Sequence, residues 1–66
     1  MINLELEMKR YGVTNTDIQQ LIDVSERTVR NKLSGETDFT YPEALKIRDT
    51  YFPSMRMEYL YNRVTV

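Results

Sequence analysis

An arginine and an asparagine four residues apart, Arg27 and Asn31, are the side chains in this sequence best suited to selective chemistry. If residues 26–33 form a helix with Val29 facing inward, Leu33 lies about 40° from Val29, and Arg27 and Asn31 both lie about 160° away. The two then stand one above the other on the outermost ridge. A guanidinium bonds two acceptors at once, as guanine O6 and N7 offer, and a carboxamide pairs in the same way with adenine N6 and N7. Arg30 and Thr28 flank the ridge at about 100° on either side. Together with the free N–H groups of a helix start near Asn15 and Thr16, they suit phosphate oxygens. Glu26 lies nearer the core edge, where its carboxylate can accept from cytosine N4 or simply favour the positive end of the helix dipole. Plainer explanations stand beside these: exposed arginines and asparagines are commonly only solvated. Lys32, leaning toward the core, suits lying over apolar surface better than touching a base.

Composition narrows the possibilities. The chain has 66 residues, nine Lys plus Arg against ten Asp plus Glu, and neither His nor Cys. That length gives one domain, 1–66, with one small core. Without Cys or His, a zinc site, a disulfide framework, and thiol or imidazole catalysis are excluded. The acids Glu36, Asp38, Glu43 and Asp49 lack calcium-loop spacing and read as solvated loops and caps. No nucleophile has a base beside it and no glycine-rich phosphate loop is present, so a binding module is expected, with no cofactor and no small-molecule ligand. No apolar run approaches a membrane span and no leader pattern opens the chain, which makes a cytoplasmic protein the expectation. The net charge of −1 hides a local excess. Within residues 25–33, Arg27, Arg30 and Lys32 against Glu26 leave +2.

The elements that must position these residues can be read from punctuation. Residues 3–11 carry Leu4, Met8 and Tyr11 at helical spacing, and Gly12 follows as a left-handed stop. The alternation of Ile2, Leu4, Leu6 and Met8 fits a strand as well. Thr14 with Asp17 three residues on forms a capping box, opening a two-turn helix with Ile18, Leu21 and Ile22 inward. Ser25 caps a third helix, 26 to about 33, which Gly35 ends. After a polar loop anchored by Phe39, Thr40-Tyr41-Pro42-Glu43 starts a fourth helix, with Ala44, Leu45, Ile47 and Tyr51 or Phe52 inward. Pro53 breaks it, Ser54 is placed to cap a fifth, and Met57, Leu60 and Tyr61 close the core. Residues 62–66 are expected to fray. The fold class is all-α, with five short helices, and the turn Asp23-Val24-Ser25 makes residues 14–35 a helix-turn-helix unit.

The segment T-N-T-D-I-Q-Q-L-I-D-V-S-E-R-T-V-R-N-K-L-S-G resembles the helix-turn-helix of the phage repressor and Cro-like family of DNA-binding proteins. The stretch V-S-E-R-T-V-R-N-K-L-S-G-E-T-D-F-T, followed by E-A-L-K-I, is similar to small phage and prophage repressor-like members. The resemblance spans about residues 3–60. It implies a lambda-repressor-like domain whose third helix enters the major groove, commonly as a dimer on paired half-sites. It places base reading on Glu26, Arg27 and Asn31, and a phosphate or outer-base contact on Asn15. Three positions depart from the family pattern: Gln19 replaces a small residue, Asp23 the turn glycine, and Lys32 an apolar residue. Asp tolerates left-handed backbone better than most residues, and Leu33 takes over the packing.

The function implied is a sequence-specific double-stranded DNA-binding regulator, a repressor of phage or mobile-element type, associated with the nucleoid when bound. With the chain ending soon after the fifth helix, no effector domain is expected. Control would then fall to concentration, dimerisation or a partner. The aromatic C-terminal half, through Tyr59, Tyr61 and the tail Val64-Thr65-Val66, is a candidate homodimer contact. The alternative is a protein-interaction module, an antirepressor or assembly factor that keeps the fold without DNA binding. The acidic isoelectric point near 5.3 favours it.

Overall fold

Why five helices form is visible at their ends. In the computed structural model, which describes residues 1–64, they are α1 (Asn3–Tyr11), α2 (Asn15–Ile22), α3 (Glu26–Ser34), α4 (Tyr41–Tyr51) and α5 (Met57–Leu60). Thr14 and Asp17 form the reciprocal capping box of α2, and Thr40 and Glu43 that of α4, with Pro42 in the first turn. Ser25 accepts from the Thr28 amide at the start of α3. Each box satisfies two amides that a helix start leaves open. Gly12, Asp23 and Gly35 end the first three helices in the left-handed region, and Asp23, at φ 57°, is the one non-glycine there among the described residues. The chain thus reverses at Asp23 as a glycine would allow, at some steric cost.

The helices share one core: Ile2, Leu4 and Met8 from the first segment, Ile18, Val29, Leu33, Ile47, Phe52 and Leu60 from the rest. α2 packs on α3 and α4, α1 on α3 and α5, and α4 on α5. The strand reading of the first segment gives way to α1, because Leu4 and Met8 are one turn apart on the buried face while Leu6 points outward. Tyr11 does not join them. It is 61% exposed, its ring meeting the edge of Phe52.

Two further expectations are corrected. Ser54 does not cap α5; Arg56 is the N-cap, and it makes no side-chain bond. Nor does the whole of 62–66 hang free. The Asn3 amide donates to the Asn62 carbonyl, Arg63 pairs with Ile2 as an isolated antiparallel bridge, and the Val64 amide donates to Met1. The paired backbone gives these residues partners that water would otherwise supply. Thr65 and Val66, the rest of the expected tail, lie outside the described residues. Among the described residues, no helix is long and apolar enough to cross a membrane.

Candidate nucleic-acid interface

The second and third helices are joined by Asp23, Val24 and Ser25. The amides of Asp23 and Val24 both donate to the Gln19 carbonyl, which closes the turn tightly. Val29 and Leu33 are sealed in the core beside Ile18. Their burial fixes the rotation of α3, and its other face must point away from the domain. Arg27 is on that face. It is exposed and has no ion-pair partner among the described residues.

Asn31 is less open than the helical wheel implies. It is half-buried, and the reason is the loop that follows. The Asn31 carbonyl accepts from the Ser34 hydroxyl at 2.9 Å, the Glu36 amide at 3.0 Å and the Thr37 amide at 3.3 Å. Residues 34–37 therefore fold back beside Asn31 and shade it. Its carboxamide makes no hydrogen bond among the described residues.

Glu26 and Arg30, expected to do separate work, are joined. The Arg30 guanidinium donates to Glu26 Oε1 at 2.8 Å, one turn apart on α3. Both side chains are well exposed, 69% and 60%, so water competes with the pair. Such a pair contributes about 0.3–0.5 kcal/mol to stability. Thr28 is half-buried, and its hydroxyl shares a 2.9 Å bond with Ser25. At the start of α2, Thr16 is exposed and Asn15 half-buried. The capping box uses the amides of Thr14 and Asp17, which leaves those of Asn15 and Thr16 free of internal partners among the described residues. These two N–H groups sit at the positive end of the α2 dipole, where anions are favoured.

Lys32 does more than lie over apolar surface. Its ammonium donates to Glu43 at 2.9 Å and to the Asp38 carbonyl at 3.0 Å, and it stands 5.5 Å from the centre of the Phe39 ring. It is 11% exposed and Glu43 20%. Burial alone would push the Glu43 carboxyl upward. The bonds from Lys32 and from the Thr40 amide outweigh it and hold the carboxyl below its ordinary value. Lys32 thereby ties the end of α3 to the start of α4, with its ammonium held inward. Sequence reading missed the pair because the partners are 11 positions apart, although a capping Glu and an inward-leaning Lys were both visible.

The electrostatic consequence is direct. Of the three cations in residues 25–33, Arg30 and Lys32 already have carboxylate partners. Arg27 alone stands without one among the described residues, so the local excess of charge resolves into a single free guanidinium.

The C-terminal aromatics are used internally as well. Tyr59 donates from its hydroxyl to the buried Glu7 carboxylate, whose other oxygen lies 3.6 Å from Arg10. That bond, with some desolvation, holds the Tyr59 phenol above its usual range. Tyr61 donates to the Ala44 carbonyl at 2.8 Å and meets Phe39 edge-on, and burial raises its phenol further. Tyr59 keeps 40% of its surface exposed. Beside Tyr61 runs an open groove of about 520 Å³, lined by Phe39, Tyr41 and Met57 and flanked by Asp38 and Glu58.

Comparisons with models of known families, with curated proteins and with solved structures give no match. The residues and their geometry therefore carry the functional argument.

Proposed function

We propose that this chain is a sequence-specific double-stranded DNA-binding regulator of the lambda-repressor-like helix-turn-helix type, a repressor of phage or mobile-element kind. One observation carries the reading: α2 and α3 meet across a three-residue turn that buries Val29 and Leu33 and leaves Arg27 exposed and, among the described residues, without an ion-pair partner. In this reading α3 lies in the major groove. Arg27 bonds guanine, Asn31 adenine and Glu26 cytosine, the acceptor and donor patterns matching in each case. Arg30, Thr28 and the amides of Asn15 and Thr16 take phosphates. Two copies bind half-sites about one helical turn apart, with the exposed part of Tyr59 a contact between them.

The test is selection from a random duplex library at near-physiological salt, using folded protein, with sequencing of the bound pool. A motif of paired half-sites is the expected result. No enrichment would overturn the reading.

A second reading, a protein-interaction module, is favoured by the aromatic groove beside α5. Apolar clefts of this size suit partner side chains. The two readings separate on heparin or bulk DNA at low salt. A DNA reader is retained and elutes as salt rises, whereas an interaction module flows through.

A further inference from the structure

The arrangement on α3 leaves one question open: why the first turn of a DNA-reading helix would carry a carboxylate bonded to its own phosphate-contacting arginine. We infer that Glu26 sets specificity by restraint, holding Arg30 at 2.8 Å so that random DNA gains little from it. The inference rests on the DNA-binding reading above and adds the role of one residue to it.

Three observations support it. Glu26 and Arg30 are both exposed, so their pair is exchangeable and a phosphate can displace the carboxylate. Lys32 is turned inward to Glu43 and cannot stand in for Arg30. Among the described residues, Arg27 is then the cation of this stretch left without a carboxylate partner to attract a backbone at a distance.

When α3 meets a duplex, Arg30 can move to a phosphate, but Glu26 is left facing a polyanion. Where the sequence presents a cytosine amino group, that carboxylate gains a donor. Where it does not, the carboxylate stays unpaired among phosphates and binding is opposed. The same side chain therefore opposes wrong sequences and is satisfied by the right one, which is discrimination by repulsion as well as attraction.

The experiment compares the full chain with Glu26→Gln, Arg30→Gln and the double variant. Each binds a random-sequence duplex and the duplex recovered by selection, across a salt series. Circular dichroism confirms the fold of each. Glu26→Gln should tighten binding to the random duplex roughly fivefold to tenfold at about 0.1 M salt and steepen the salt slope by about one unit, the effect of one more phosphate neutralised. Its preference for the selected duplex should shrink. The double variant should lose the part of the gain that Arg30 supplies and keep only the part due to the removed negative charge. If the parent binds DNA and Glu26→Gln leaves random-duplex affinity and slope unchanged, the inference fails while the DNA reading stands. If no variant binds any duplex, both fall.

Discussion

The two ends of α3 carry the same chemistry to different effect. At its start, Arg30 and Glu26 meet at 2.8 Å with most of both side chains in water; at its end, Lys32 and Glu43 meet at 2.9 Å largely out of it. Distance does not separate them. Exposure and additional partners do. The first pair is isolated on a helix surface, while Lys32 also donates to Asp38 and lies over Phe39, and Glu43 also caps α4. A pair with free access to solvent can be exchanged for a ligand. A sheltered, multiply bonded pair fixes where the helix points. In one nine-residue helix, the exchangeable end is suited to recognition and the fixed end to aiming it.

The sharpest way to break this comparison is Lys32→Ala. It leaves Glu43 and the Asp38 carbonyl short of a donor in a sheltered place, and should lower unfolding free energy by about 2–3 kcal/mol in a urea titration. A loss below half a kcal/mol would make the two ends equivalent.

Next comes Arg27→Ala, which removes the free guanidinium. We predict a loss of roughly 1–3 kcal/mol in binding to the selected duplex, with preference relaxed at one base. Stability should stay nearly unchanged, since Arg27 makes no ion pair among the described residues. Equal loss on every sequence would reassign Arg27 to phosphate.

Acidification sharpens the same contrast. The Glu43 carboxyl ordinarily takes its proton near 4.5, and in the fold it does so at lower pH. The unfolded chain therefore binds that proton first. The stabilising contribution is complete above 4.5 and is lost as pH falls through the folded value. Denaturation midpoints measured from pH 6 downward should fall for the parent more steeply than for Lys32→Ala, in which the chief support of the ionised carboxylate is absent.

Last, Arg30→Ala should change stability by less than about 0.5 kcal/mol, because its pair is exposed. Its effect should appear instead in binding to the selected duplex, where the salt slope flattens by about one unit, while random duplexes, which gain little from the restrained Arg30, change little. A stability loss comparable to that of Lys32→Ala would show that Arg30 is structural.

How much of this could be read from the sequence follows the reach of each signal. Thr14 with Asp17, Ser25, and Thr40 with Glu43 are capping patterns complete within four positions, and each is present where its spacing places it. Gly12, Asp23 and Gly35 mark left-handed stops on the same local terms. Val29 and Leu33 fix the inward face of α3, and Arg27 follows from them. What escaped was set by parts of the chain far apart. Tyr59 reaches Glu7 across 52 positions, and Lys32 reaches Glu43 across 11. No periodicity announces either bond. The shading of Asn31 depends on how residues 34–37 turn back, and a helical wheel ends before that loop begins. Tyr11 has the right spacing for the core, but α1 ends at that residue, and its ring lies exposed against Phe52 instead.

The pairing of Ile2 with Arg63 bears on the order in which this molecule assembles. Packing among α2, α3 and α4 joins neighbours in the chain and closes short loops, whereas the Ile2–Arg63 contact closes nearly the entire chain at greater entropic expense. The central three helices are expected to gather first and the two extremities to meet late. The Ile2 amide also donates to the Leu33 carbonyl at 3.2 Å, so the late event completes the final turn of α3. Transient parting of the extremities would then loosen α3 at its far end without unfolding the rest, and hydrogen exchange should register Ile2, Asn3 and Val64 opening together before the amides of α2.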